Sequence, residues 1–573
     1  MMDNPQRLIA LVVFSFTSLL LWDAWQKHSA PVVVPAPSAA TQAGVPASTT
    51  SPATTGSNAA VPAGTPAATT SATPSSASAP TAAAAASGQP VHVRTDLVDV
   101  EINTLGGDIR RLTLLQVSSA RDRTKALTLM EPDAKHFFVT QSGLLGEGLP
   151  THLTPYTADA TEYKLGDKNA LEVRLHANAG NGAEVTKKFT FHRDSYVIDV
   201  AYEVANKSSQ PIAPTAYFQF MRDENPPSED AAQTSKFAGV STFTGPAVYT
   251  DASKFTKISF SDIDKDKDDA KPRQAKEGWI GMVQHYFVSA LLPPQVLVRE
   301  FYTNKVAADR YTAGTKVAMA SIAPGATGTL DVPVYIGPQE KDRLEKVAPG
   351  LDLVVDYGWL LIIAKPLFLF LKWIHSLVGN WGWSIILLTI TIKLVFYPLN
   401  AKAGRSMAQM KVLAPKMEKL KQMYGDDRQK LNQAMMELYR TEKINPLGGC
   451  LPIVVQIPVF IALYWVLLAS IELRHAPWLG WIQDLSAPDP YFILPVIYAV
   501  SMFVQTKLNP QPADPVQARV MLIMPIVFSV FFLFFPSGLV LYWVCQNLLT
   551  IVQQWHINRT LAREAEAKAR GRR

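Results

Sequence analysis

The C-terminal third of the chain carries four long apolar runs, Trp383 to Leu399, Leu451 to Ile471, Tyr491 to Thr506 and Val520 to Trp555. No water satisfies a peptide group inside a bilayer, so such runs fold as helices that close their own hydrogen bonds. The last run is too long for one span: as a single helix it would measure about 54 Å against a hydrocarbon core of about 30 Å. Pro536-Ser537-Gly538 interrupts it with a turn signal, giving two spans joined by a tight hairpin. Composition agrees, with 48% hydrophobic residues and a mean hydropathy of +0.07. That is too apolar for an ordinary soluble chain of this length.

Charge sets the orientation. Ala401 to Asn445 holds ten Lys and Arg against five acids, whereas Glu472 to Pro490 holds only Arg474. The first loop is therefore expected inside and the second outside. The tail after His556 adds six basic residues and is also expected inside. The segment Leu351 to Asn380 is apolar, but Lys365, Lys372, His375 and Ser376 recur at near-helical spacing beside Pro366. It reads as a helix lying in the membrane interface. Counted as a span, it would put one basic segment on the wrong side, whereas six spans with an inward N-terminus satisfy every loop.

Near the start, one basic residue, Arg7, precedes an apolar run from Leu8 to Trp22. Trp22, Asp23 and Trp25 stand where a cleavable signal wants small residues and suit an interfacial belt. The run reads as an uncleaved anchor, although Ser29-Ala30 keeps cleavage open. Residues 31–90 are almost wholly Ala, Pro, Ser, Thr, Gly and Val, without an aromatic residue to seed a core, and read as a disordered tether. From Val91 the texture becomes period-two, in runs such as VDVEINTL, ALEVRLHA, VTKKFTFHR and YVIDVAYEV. That predicts a large antiparallel β-sandwich domain, exported between the first and second spans and, in a bacterium, periplasmic. The predicted organisation is thus a first transmembrane anchor at 1–25, a tether at 26–90, the β-sandwich domain at 91–340 and interfacial helices at 341–380. A five-helix membrane core at 381–556, with a cytoplasmic hairpin at 401–445, and a basic tail at 557–573 complete it.

One residue in the core is out of place. Lys393 lies in TITIKLVFYP, roughly ten residues from Trp383 and from Lys402. An ammonium at mid-membrane costs about 2.5–3.5 kcal/mol on insertion scales, and a lysine side chain snorkels only part of the way to either end; a snorkelling or locally paired lysine without function is the alternative reading. Thr389, Lys393, Tyr397 and Asn400 follow i, i+4, i+8 and i+11, which places them on one helix face. Other spans supply Gln456, Tyr498, Ser501, Gln505, Tyr542, Gln546 and Asn547, and none supplies an acid to pair with the lysine. Singly such residues serve as glue between helices. Together they are expected to line a hydrated cavity whose cation attracts negatively charged parts of a substrate. Pro452, Pro458, Pro495 and Pro525 lie within the spans and predict kinked, loosely packed helices.

The loop after the lysine helix reads as an αα-hairpin, Lys402 to Tyr424 and Arg428 to Thr441, with Gly425 as a stop and an aspartate as the next N-cap. Met407, Met410, Met417, Met423, Met435 and Met436 lie on it, and flexible thioethers suit either packing of the hairpin or contact with varied apolar sequences. Enzyme motifs are missing: there is no HExxH, GxSxG, Walker A loop or CxxC pair, and no cofactor or metal is implied. Cys450 and Cys545 lie in apolar runs as small hydrophobes. The basic residues flank spans, which points to anionic lipid or ribosomal RNA rather than DNA.

Several words in the chain are long enough to be specific: INTLGGDIRRL, DYGWL, KWIHSLVGNWGWSI, NPLGGCLPIVVQIPVFIALYW, IELRHAPW, WIQDLSAPDPYFILP and FFPSGLVLYWVCQN. On these the chain resembles the YidC/Oxa/Alb family of membrane protein insertases, over nearly everything but the tether. The resemblance implies a Gram-negative inner-membrane protein with six spans, the last five forming an insertase core, and a periplasmic β-sandwich. It also implies a hydrophilic groove in which a basic residue, matched by Lys393, draws in the polar end of a nascent chain. Positions matching Thr389, Gln456 and Tyr542 line that groove or meet the substrate. Nascent membrane proteins, the Sec translocon, the ribosome and membrane lipids are the implied partners. Two positions depart from the pattern: Lys393 stands where arginine is usual, keeping the charge but losing the planar fork, and Trp543 stands where a second tyrosine is common. From another class, a small-solute or proton-coupled transporter would also use a buried lysine, but no internal repeat and no second buried ionisable group accompany it.

Overall fold

The computed structural model describes residues 88–570 except 120–121, 134–135, 226–242, 268–269, 271, 358–359, 425–426, 443–450 and 509–514. The expected anchor at 1–25 and nearly all of the tether lie outside the described residues.

The period-two segments form strands whose alternate residues are buried. Val98–Asn103 and Ala170–Asn178 each bury every second side chain, as half-covered strands must. Among the described residues these strands assemble into one ten-stranded and one nine-stranded sheet. In the second sheet Val197–Asn206 is central, with Val200 facing Phe189 on one side and Val332 on the other. Pairing is antiparallel throughout except where His92 meets Glu162. The inner faces meet over Phe189, Phe191, Phe218, Trp279 and Tyr335, all essentially inaccessible. Two stacked antiparallel sheets with an apolar interior are the predicted sandwich.

Beyond the short helix Lys341–Val347, eight longer helices follow among the described residues: α1 Leu361–Val378, α2 Trp381–Val395, α3 Tyr397–Tyr424, α4 Arg428–Thr441, α5 Leu451–Ala469, α6 Ile493–Leu508, α7 Pro515–Phe532 and α8 Ser537–Arg570. Among the described residues, α1 alone is long and apolar enough to cross a membrane; α2 and the start of α3 together also qualify, but they meet at 65°. The sequence places α1 in the interface; in the structure it packs chiefly against α2 and α5. It buries Ala364, Phe368, Leu371 and Ile374 along one stripe and leaves Ile362, Trp373 and Leu377 exposed. Lys372 is ion-paired with Asp342, in the short helix that leaves the β domain.

The bend corrects the expectation of a continuous helix from Trp383 to Leu399. Pro398 has no N–H to donate to the preceding turn, and its ring clashes with the carbonyl four residues back. Helix α2 therefore ends at Phe396, whose N–H still reaches the Ile392 carbonyl, and a new helix starts with proline in its first turn. The second hairpin helix agrees with the reading: Asp427 caps α4, its carboxylate accepting from the N–H groups of Gln429 and Lys430, whereas the first starts at Tyr397 rather than Lys402 and Gly425 lies outside the described residues. The turn at Pro536-Ser537-Gly538 separates α7 from α8 and is anchored on the preceding loop, with Ser537 N–H donating to Ala487 O at 2.7 Å and Gly538 N–H to Leu485 O at 2.9 Å.

Candidate functional site

Lys393 lies one turn before the bend, half-buried, and extends toward α8. Its ammonium donates to Thr550 Oγ1 at 2.9 Å, and that hydroxyl in turn donates to the Gln546 carbonyl at 2.7 Å. With its own proton committed to the backbone, Thr550 offers the lysine a lone pair and holds it in place. Among the described residues no carboxylate lies within ion-pairing distance of Lys393. The lysine is thus oriented without being neutralised.

It borders a cavity of about 280 Å³. Helix α3 contributes Asn400, Ala403 and Gly404, α5 contributes Gln456, Ile457 and Phe460, and α6 contributes Gln505. The α8 wall runs from Tyr542 through Gln546, Asn547, Thr550 and Gln553 to Ile557. Gly404 lets α3 approach α8, since a Cβ there would stand 2.7 Å from Ile557 Cδ1. Several polar atoms around the cavity are buried with no protein partner among the described residues: Asn400 Nδ2, Gln505 Oε1, Gln546 Oε1 and Gln553 Nε2. Such a group costs about 1–3 kcal/mol if left dry. A cavity with four of them is built for water or for a polar guest.

Toward the start of α8, which is anchored on the loop between α5 and α6, the lining is aromatic. Trp543 packs at 4.6 Å from Phe460 and 5.9 Å from Phe532, and Tyr498 meets Phe532 edge-on at 4.6 Å. Beyond them lies the loop between α5 and α6, held by Asp489, which accepts from Trp481 Nε1 and from the N–H groups of Tyr491 and Leu494. Trp543 is accordingly a packing hub.

The predicted stripe is only partly realised as a lining. Lys393, Asn400, Gln456, Gln505, Tyr542 and Gln546 share the cavity. Thr389 is fully buried one turn away, its hydroxyl spent on the Ile385 carbonyl. Tyr397 is 45% exposed, because the bend at Phe396 carries it off the face that an unbroken helix would have given it. Ser501 is buried between helices, accepting from Asn547 Nδ2 at 3.3 Å. In the hairpin, Met417 accepts from the Tyr439 hydroxyl at 3.9 Å and Met435 is half-buried, while Met423 and Met436 are exposed. The side chains of Met407 and Met410 lie outside the described residues. Thr550, Gln553 and Gln554 went unpredicted, although Tyr542, Gln546, Thr550 and Gln553 advance by four, four and three residues and so mark one face.

Residues 90–370 match the family model of the YidC periplasmic domain, and residues 373–564 match that of the 60Kd inner membrane protein. A membrane protein insertase YidC from Aromatoleum aromaticum is 53% identical over 98% of both chains. One from Methylobacillus flagellatus is 51% identical over 99% of both. Among solved structures, a crystal structure of an active YidC insertase with its first transmembrane domain resolved covers 82% of this chain and 94% of its own, at 19% identity and a TM-score of 0.37.

Proposed function

The chain belongs to the YidC family of membrane protein insertases, and from that premise we propose that the Lys393 cavity receives the polar flank of a nascent membrane segment while the apolar part passes into lipid. The observation that carries this reading is an oriented, unneutralised ammonium sharing one cavity with four buried polar atoms that have no protein partner among the described residues. A polar peptide flank entering an apolar bundle loses hydration worth several kcal/mol. Gln, Asn and Thr side chains return hydrogen bonds, and Lys393 returns charge to an acidic flank. Closure by the aromatic rings and the α5–α6 loop lets this guest enter from the hairpin end. The proposed topology is six spans, with α2, α5, α6, α7 and α8 forming the core and α1 in the interface. The hairpin and basic tail are cytoplasmic and receive substrate or ribosome, the methionines meet apolar segments, and the β domain helps to hold the Sec translocon. No nucleotide or other cofactor enters the scheme.

The test is reconstitution. Purified protein in liposomes is expected to insert a short membrane protein without nucleotide, as read by protease protection. Failure to insert, accompanied by flux of a small anion or protons, would favour the transporter reading instead.

A further inference from the structure

Among the described residues 90–340, large apolar side chains are exposed at only four positions, Leu153, Val296, Leu297 and Val298. Three of the four are consecutive, in the loop that follows Phe287–Leu291, and Val296 is 88% exposed. A loop tip of this kind is ordinarily polar.

Nor is the loop held loosely. Arg299, itself 1% exposed, donates to five carbonyl oxygens, those of Leu297, Pro293 and Pro294 within the loop and those of Gly278 and Lys276 beneath it. Gly278 N–H donates back to the Gln295 side chain at 3.1 Å. Leu297 N–H closes a turn on the Pro294 carbonyl. A buried guanidinium spent wholly on backbone carbonyls fixes the shape of the loop and leaves its three aliphatic side chains facing outward.

The position of the loop says what they face. Gly278 is followed by Trp279, whose indole donates to the Pro349 carbonyl at 3.2 Å. From Pro349 the chain passes through the one-turn helix Leu351–Val354 into α1, whose first residues Leu361 and Ile362 are 42% and 88% exposed. Loop and α1 are thus connected through Trp279 and the segment that leads from Pro349 to Leu361, and both present aliphatic side chains. Three aliphatic side chains without an aromatic anchor fall far short of the roughly 1,000 Å² that a specific protein interface buries. They suffice for a shallow contact with acyl chains below the headgroups.

We propose that loop 293–298 is a lipid-contact loop, by which the β domain rests Val296, Leu297 and Val298 in the headgroup region of the bilayer that holds the helical core. The contact fixes the tilt of the β domain over the membrane and goes beyond the insertase reading: it requires a bilayer beside α1, but not insertion activity.

Fluorescence quenching tests it on the full chain in phosphatidylethanolamine–phosphatidylglycerol nanodiscs, which expose both membrane faces. With Cys450→Ser and Cys545→Ala as background, a nitrobenzoxadiazole dye is attached at Val296→Cys, at Leu297→Cys as a second loop position, and at Lys168→Cys in an exposed polar turn. Both loop probes are expected to be quenched by shallow doxyl-labelled lipid at least threefold more than the Lys168→Cys probe, and severalfold less by iodide. Equal iodide quenching at all three positions without doxyl quenching places the loop in water and overturns the proposal. Shielding from iodide in native membrane vesicles but not in pure-lipid nanodiscs assigns the loop to a protein partner and overturns it equally. Failure of the insertion assay leaves these readings unchanged, so the two ideas fall separately.

Discussion

Lys393 and Thr550 form the smallest unit of the proposed mechanism. The ammonium has three protons and Thr550 takes one, so the rest of its charge is directed to whatever enters the cavity. In the proposed scheme guest recognition rests on a point charge, so Lys393→Arg is expected to keep insertion of a client with an acidic exported tail, and Lys393→Glu to lose it. Lys393→Ala is expected to spare clients whose flanks are uncharged. Charge-assisted hydrogen bonds contribute about 1.5–3 kcal/mol, part of which water returns in a wet cavity. Thr550→Val should therefore lower insertion of the acidic-tailed client about three- to tenfold, with Thr550→Ser restoring it. Quantitative protease protection reads all of these variants; a Lys393→Glu protein as active as the wild type would remove electrostatic attraction from the scheme.

Elements meet where small residues allow it. At Gly382 in α2 a Cβ would lie 2.3 Å from the Trp478 indole, so the loop between α5 and α6 packs directly on the backbone of the lysine helix. Asn380 adds a side-chain bond to the Pro477 carbonyl at 3.0 Å. Overpacking costs about 1–3 kcal/mol, so Gly382→Ala should lower the thermal midpoint in nanodiscs by a few degrees and speed hydrogen exchange in residues 476–490. An unchanged midpoint together with unchanged exchange would mean that the loop is held elsewhere. How far these elements could be read from sequence follows from the range of the signals. Strands of the β domain alternate residue by residue, and the hairpin carries its own stop and cap, so both were legible locally. The break at Phe396 is also local, since Pro398 is in plain view, but the polar period through Thr389, Lys393, Tyr397 and Asn400 runs across it and gives a false impression of continuity. Thr550 is a different case: its importance comes from a partner 157 residues away, and no pattern within one helix shows that.

At the scale of the molecule, the β domain is joined to the helical core through side chains that also lie far apart in sequence. His285, in the turn between Trp279–Gln284 and Phe287–Leu291, bonds the Leu468 carbonyl at the end of α5 at 3.0 Å. Arg474 stands over the Phe287 ring at 5.7 Å, and Arg123 lies 3.7 Å from Asp484 of the α5–α6 loop. Burial against α5 pushes the His285 imidazole down to about 4 and nearby Arg474 adds to this, while the bond to Leu468 opposes it. In the unfolded chain the ring titrates near 6.5. Above that value both states are neutral and the stabilisation is fully present; as the pH falls the undocked or unfolded ring takes up a proton first, and stability is lost between about 6.5 and 4. The loss approaches about 3 kcal/mol at most, less to the extent that water reaches a ring that is only partly buried. Hydrogen exchange in residues 279–291 and at the end of α5, corrected for intrinsic rates, should therefore rise as the pH falls across this window. His285→Gln keeps a side-chain N–H for Leu468 but has no proton to gain, so its profile should be flat; if it follows the wild type, the pH response of this junction belongs to another group.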